Sequence, residues 1–139
     1  MILLDTNVIS EIHASNPNPK VLAWFEAVAD QSLYLSAITE AELWSGIAAM
    51  ADGKAKATKA AVIAELLQED FADRLLPFES RAARAFGEIF QRRKRLNGKD
   101  DPVDCQIAAI AKVHGLKLAT RNVKDFDGCG IEIINPWDR

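Results

Sequence analysis

Cysteine, histidine and long apolar runs are all scarce in this 139-residue chain, and each scarcity excludes a class of protein. The two cysteines, Cys105 and Cys129, have neither zinc-ligand spacing nor a C-x-x-C arrangement. His13 and His114 stand far apart, outside any ligand motif, and are read as structural. A zinc site is therefore not expected, and both thiols are expected to be reduced. No stretch approaches the roughly 20 consecutive apolar residues that a membrane-spanning helix needs. Met1-Ile2-Leu3-Leu4 runs directly into Asp5, without the basic start and long apolar core of a secretion signal. The expected location is the cytoplasm, with no membrane partner. No repeat, linker or low-complexity segment divides the chain, so one domain over residues 1–139 is expected, large enough to bury its own core.

What remains is an ordinary globular composition, 49% hydrophobic and 27% charged, with a net charge of −3. The charge is unevenly spread. Between Arg81 and Lys99, the seven cations Arg81, Arg84, Arg92, Arg93, Lys94, Arg95 and Lys99 face the single acid Glu88, a local balance of +6. Such a face attracts phosphates even on an acidic protein, although taken alone the run is better read as a solvated helix end.

Ile2-Leu3-Leu4 suits a buried strand that presents Asp5 at its end. Asn16-Pro17-Asn18-Pro19 forces a turn, and Val21, Trp24, Phe25 and Val28 follow at helical spacing. Leu33-Tyr34-Leu35 reads as a second strand and Ser36 as the cap of the next helix. That helix is expected to carry Ile38, Ala41, Trp44, Ile47 and Ala48 on one broad side. Lys54 to Asp70 is strong helix-forming sequence, separated from its predecessor by Asp52-Gly53. Leu75-Leu76-Pro77 suits a third strand, and Ser80 to Leu96 a helix stopping near Asn97-Gly98. Asp101-Pro102-Val103-Asp104 has the acidic cap, first-position proline and first-turn acid of a helix start, and Gly115 marks the end of that helix. Leu116 to Thr120 and Ile131 to Ile134 read as strands, with a short turn or helix at Asn122 to Phe126. Strands alternating with helices imply an α/β fold with a largely parallel sheet.

In such sheets ligands collect beyond the carboxyl ends of the strands. Asp5, Glu42, Asp104 and Asp125 are all expected at one such edge, with Asn122 nearby. Carboxylates brought together raise one another's pKa unless a cation compensates them, and hard oxygen ligands select Mg²⁺ or Mn²⁺. An ion held in this way activates water for hydrolysis of a phosphodiester. Taken singly, each acid has a plainer reading as a helix cap, a turn residue or a surface carboxylate. Glu42-Leu43 with Gly46 one turn on suggests an acid beside a residue that permits close backbone approach.

The run Leu4-Asp5-Thr6-Asn7-Val8-Ile9-Ser10-Glu11 resembles the opening motif of VapC-type PIN domains, most closely the FitB branch. Glu42-Leu43-x-x-Gly46 is similar to the family's second acid motif. Pro102-Val103-Asp104-Cys105-Gln106-Ile107-Ala108-Ala109 is similar to its third, and Leu118 to Phe126 to its fourth. The resemblance implies a three-layer α/β/α PIN-like sandwich around a mainly parallel sheet. It also implies a ribonuclease toxin of a toxin–antitoxin pair, dependent on Mg²⁺ or Mn²⁺, homodimeric and neutralised by a cognate antitoxin. Assembly beyond the dimer and contact with DNA would then arise only through that antitoxin.

On this resemblance Asp5, Glu42 and Asp104 are the metal ligands, and Asp125 completes the catalytic set. Thr6, Thr120 and Asn122 support it. Many family members place an acid where this chain has Asn122, so the fourth role is expected to pass to Asp125. Arg81, Arg84, Arg92 and Arg93 are candidates for RNA or partner contacts. Trp24, Phe25, Trp44, Phe86 and Phe90 are expected in the core, unless a dimer face or antitoxin groove exposes one of them.

Two other classes are compatible with a strand ending in aspartate. A phosphotransferase of the haloacid dehalogenase or receiver type would need a further acid near Asp5 and a placed lysine, and neither is evident. A PIN-like module that binds RNA or protein without cutting would not need all four acids.

Overall fold

The structure, a computed structural model, describes residues 1–97 and 101–138. The elements run β1 (Ile2–Leu4), α1 (Thr6–Ile12), α2 (Pro19–Ala27), β2 (Leu33–Ser36), α3 (Ala37–Ala48), α4 (Lys54–Glu65) and β3 (Leu75–Leu76). After them come α5 (Ser80–Asn97), α6 (Pro102–Val113), β4 (Lys117–Ala119) and β5 (Ile133–Ile134). Short 3₁₀ turns cover Val123–Phe126 and Pro136–Asp138. Gly98 and Lys99, where the α5 stop and the last cation of the basic run were expected, lie outside the described residues.

All neighbouring strands pair in parallel, in the order β3-β2-β1-β4-β5. A parallel sheet is covered on both faces, so its strands read as apolar runs rather than as alternating patterns. Successive side chains nonetheless go to opposite sides. Ile2, Leu4, Leu33 and Leu35 pack with Val8, Ile9, Trp24, Leu43, Ile47 and Ile63, from α1 to α4. Leu3 and Leu118 pack on the other side with Ala82, Ile89, Ile107 and Ile110, from α5 and α6. The result is the expected three-layer α/β/α sandwich. Full burial of a Leu or Ile stabilises by roughly 1.5–3 kcal/mol, so these two layers hold the sheet between them.

Local signals explain the helix starts. Ser36 accepts from Thr39 N at 3.0 Å, Asn18 from Lys20 N at 2.8 Å and Asp101 from Val103 N at 3.1 Å, each satisfying an orphan donor of its helix. Gly115, at φ 65, closes α6 in the left-handed region that glycine adopts without penalty. Cys105 and Ile107 to Ala111 are all buried, so α6 is apolar on nearly every side and lies between the sheet and α5. Burial holds both cysteine thiols protonated, Cys105 up to about 11, and both are free.

Several expectations need correction. In α3 the inward residues are Thr39, Leu43 and Ile47, while Ala41, Trp44 and Ala48 are exposed. The helix is apolar on several sides, so periodicity alone did not select the buried one. Second, the regular helix from Lys54 ends at Glu65 and continues as a π turn, Leu66–Asp70, in which Phe71 N bonds to Leu66 O at 3.1 Å. The wider turn brings Leu66, Leu67 and Phe71 into the same core. Third, a Cβ added at Gly46 would meet nothing within 4 Å in this chain, so no close approach accounts for that glycine. Strands β4 and β5 are also shorter than expected, and the 3₁₀ turn at Pro136–Asp138 was not foreseen.

Candidate active site

Chain order in the sheet reverses between β1 and β4, the place where open α/β sheets leave a crevice. Leu4 pairs with Ala119, so the residues that follow, Asp5 and Thr120, leave the sheet side by side. Asp5 is 5% exposed and caps α1. Its Oδ1 accepts from Thr6 N at 2.8 Å, and its Oδ2 accepts from the Thr120 hydroxyl at 2.8 Å and Asn7 Nδ2 at 3.3 Å. Burial nonetheless outweighs these donors and raises the Asp5 pKa, with the charge of Asp125 adding to the effect.

Asp104 projects from the first turn of α6 and is half-buried. Burial is again the largest cause of its shift, followed by the charge of Asp101 and a hydrogen bond with it, then by Asp125 and Asp5. Together they push its pKa up to about 7. Asp125 sits in the Val123–Phe126 turn, anchored by the buried Phe126, and its charge reaches both Asp5 and Asp104. The three aspartates therefore occupy one electrostatic neighbourhood. Asn122 contributes through its backbone, its amide donating to Thr120 Oγ1 at 3.1 Å and its carbonyl accepting from Asp125 N at 3.0 Å.

Glu42 is exposed on α3 and joins this group through Thr6. The Thr6 hydroxyl lies 2.5 Å from Glu42 Oε1 and 3.2 Å from Thr39 Oγ1. A hydroxyl has one proton and a carboxylate only accepts, so Thr6 donates to Glu42 and receives from Thr39. Among the described residues, no three His, Cys, Asp or Glu side chains stand in a metal-holding group. Of the expected ligands, Asp5 and Asp104 share one electrostatic neighbourhood with Asp125, and Glu42 is linked to it through Thr6.

Two contributors had not been given roles. Asn7 bridges Asp5 and Thr120 through its amide nitrogen, and its Oδ1 accepts from Arg121 N at 3.3 Å. It stands inside the first motif, which was the available signal. Asp101 acts on Asp104 as well as capping α6.

Of the expected basic residues on α5, Arg81, Arg84, Arg92 and Arg95 recur at helical spacing along one side, and Arg93 departs from them. Arg81 and Arg84 are exposed, and Arg81 Nη2 donates to Val113 O at 3.1 Å. Arg92 is half-buried and, with Gly87, Glu88, Gln91 and Arg95, lines a shallow cavity of about 430 Å³. Arg93 is 1% exposed, so the expectation that it contacts RNA or a partner is corrected: its guanidinium points inward. Phe86 and Phe90 stack at 5.4 Å, Trp24 is buried, and Trp44 is 37% exposed.

Chemically, the arrangement offers oxygen donors that cannot all stay ionised near neutrality without a cation, and one acid whose protonation changes in that range. The donor set fits Mg²⁺ or Mn²⁺ held by one or two carboxylates and otherwise by water, the common mode for Mg²⁺.

The profile of the family described as PIN domain matches residues 2–128. Over 138 residues the chain is 41% identical to "VapC ribonuclease Y4jK" of Sinorhizobium fredii, covering 99% of each sequence. Over 137 residues it is 39% identical to "Toxin FitB" of Neisseria gonorrhoeae, again covering 99% of each. Its fold is similar to a chain in a structure described as FitAB bound to an IR36 DNA fragment, with a TM-score of 0.91, 38% identity and coverage of 99% of this chain and 96% of that one.

Proposed function

The chain belongs to the PIN-domain family, and on that premise we propose that it is an Mg²⁺- or Mn²⁺-dependent endoribonuclease, the toxin of a toxin–antitoxin pair. The observation that carries this reading is the trio Asp5, Asp104 and Asp125 at the sheet's switch point, with burial and mutual charge disfavouring the ionised forms of Asp5 and Asp104. A structural role alone gives no reason to place ionisable groups so unfavourably, whereas a divalent cation offsets the penalty.

Asp5 and Asp104 would hold the ion, with Glu42 contributing at the rim. When bound, the ion supplies Lewis acidity for hydrolysis of the RNA phosphodiester. Thr120 and Asn7 fix the orientation of Asp5, and Thr6 fixes that of Glu42. Asp125, facing Asp5 and Asp104, orients the attacking water and accepts its proton. Of the four candidate arginines, Arg81, Arg84 and Arg92 remain reachable from solvent on α5, beside the exposed Lys94 and Arg95, and in this reading they hold the RNA backbone.

The antitoxin partner is inferred from the relatives, one of which was solved as FitAB on DNA. Contact with DNA would accordingly come through the antitoxin. The exposed Trp44 and Leu96, the latter 65% exposed, are apolar area that a homodimer or an antitoxin would cover. No helix among the described residues is long and apolar enough to cross a membrane, and a cytoplasmic location belongs to the same proposal, since its RNA substrate would be met there.

The test is cleavage of total RNA with Mg²⁺, with Mn²⁺ and with chelator, followed by mapping of the cut ends. Asp5→Asn and Asp104→Asn should abolish metal-dependent cleavage and leave the fold intact. Full activity in either variant rejects the assignment, and a folded wild-type protein that binds RNA without cutting it favours a non-catalytic module.

A further inference from the structure

A fully buried arginine is unusual, because the guanidinium keeps its charge at any ordinary pH and loses its hydration. Arg93 is 1% exposed near the C-terminal end of α5, between the half-buried Arg92 and the exposed Lys94. Its Nη1 donates to the backbone carbonyl of Asp125, to that of Asp127 at 3.2 Å and towards Cys129 Sγ at 3.8 Å. Nη2 is buried with no hydrogen-bond partner among the described residues. No carboxylate among the described residues pairs with it, so its charge is met chiefly by carbonyl dipoles at the end of the Val123–Phe126 turn.

We propose that Arg93 is a positioning residue for the candidate active site: from within α5 it clamps the turn that carries Asp125 and sets where that carboxylate stands relative to Asp5 and Asp104. The proposal rests on the nuclease reading for the role of Asp125, but the clamp itself rests on contacts. The turn needs one. It has no side-chain cap at its start, and it runs into Gly128 and Gly130, at φ 80 and φ 74, which give the following backbone little stiffness. Phe126 fixes its apolar side, and short-range amide bonds run along the rest: Asp125 N to Asn122 O at 3.0 Å, Asp127 N to Lys124 O at 3.3 Å and Cys129 N to Phe126 O at 3.2 Å. Arg93 ties three of these positions to a long helix on a neighbouring layer. Charge-assisted bonds to carbonyls are stronger than neutral ones, and one planar group contacting several acceptors fixes their relative heights. Since Asp125 O is one of them, movement of the clamp moves the Asp125 carboxylate with it. An error of about 1 Å at a reacting centre can cost on the order of a hundredfold in rate.

The test is a double-mutant cycle in the full-length protein, joining Arg93→Met with Asp125→Asn and reading RNA cleavage and amide hydrogen exchange. Arg93→Met alone is expected to lower kcat by about ten- to a hundredfold, the range seen when an orienting partner is lost, with KM changed less than about twofold. In the Asp125→Asn background the same substitution should cost less than about twofold more, because Arg93 acts through Asp125. The amides of Asp127 and Cys129 should exchange faster while those of α6 keep their protection. Equal losses in both backgrounds, or unchanged kcat, overturn the proposal. If Arg93→Met does not fold, Arg93→Lys serves in the same cycle: it keeps the charge but reaches fewer acceptors, and should lie between wild type and loss of function. Should wild type fail to cleave RNA at all, the nuclease reading falls separately. The exchange measurement then decides alone, and unaltered exchange at Asp127 and Cys129 overturns the clamp.

Discussion

Thr120 donates its hydroxyl proton to Asp5 Oδ2 at 2.8 Å, across the seam where β1 and β4 run in parallel. That bond favours the charged form of an acid that burial disfavours. Thr120→Val keeps the shape and removes the donor. A hydrogen bond to a charged group is worth about 1.5–3 kcal/mol, so cleavage should fall by roughly ten- to a hundredfold in the valine variant. Thr120→Ser should retain most of the activity. Circular dichroism checks that the fold survives, and equal activity in both variants would remove Thr120 from the site.

Thr6 links the buried and exposed acids, its amide serving Asp5 and its hydroxyl Glu42. The hydroxyl is lost in Thr6→Val while the amide stays. If it acts by orienting Glu42, Thr6→Val and Glu42→Gln should each lower kcat, and the double variant should be no slower than Glu42→Gln alone. Single-turnover cleavage rates read this directly, and fully additive losses would mean that the two residues act independently.

Asp104 gives a prediction about stability, and its sign is the reverse of the usual carboxylate case. Its pKa rises from 3.8 to about 7 in the folded protein, so the folded state holds this proton more tightly than the unfolded chain does. Stability is then greatest below the unfolded value, falls as pH rises through the window between 3.8 and about 7, and is lowest once the group is ionised in both states. Asp104→Asn removes that penalty. Because the side chain is only half-buried, solvent screening reduces the gain to about 1–2 kcal/mol at pH 8 without metal, on the order of 5 °C in Tm. Thermal melts from pH 4 to pH 8 check this: the two proteins should converge at low pH and separate above it. A variant less stable than wild type at pH 8 contradicts the assignment.

Much of this architecture was readable from local signals. Strand ends were visible because a parallel strand is a short apolar run, and Asp5 interrupts one abruptly. The start of α6 was visible because its cap, its proline and its first-turn acid are all local. What escaped depends on contacts between distant segments. Nothing in the basic run of α5 distinguishes Arg93 from Arg92 or Lys94; only the turn at residues 123–129, folded over that position, makes it interior. The buried side of α3 was only partly assigned, with Ile47 inside as expected, because apolar residues stand on several sides of the helix and the sheet, not the helix, selects among them. The four acids were legible as a set, but their division into a trio and a rim residue depends on Thr6, whose hydroxyl could have served either neighbour.

The central claim, that the aspartates at the switch point together create a need for a divalent cation, is tested most directly by titrating Mn²⁺ into wild-type, Asp5→Asn and Asp104→Asn proteins and following heat and Tm. Wild type should bind Mn²⁺ and melt higher with it, while each variant should bind at least about tenfold more weakly and show little metal-dependent rise. A wild-type protein that takes up no Mn²⁺, or variants that bind it as tightly as wild type, would contradict the account.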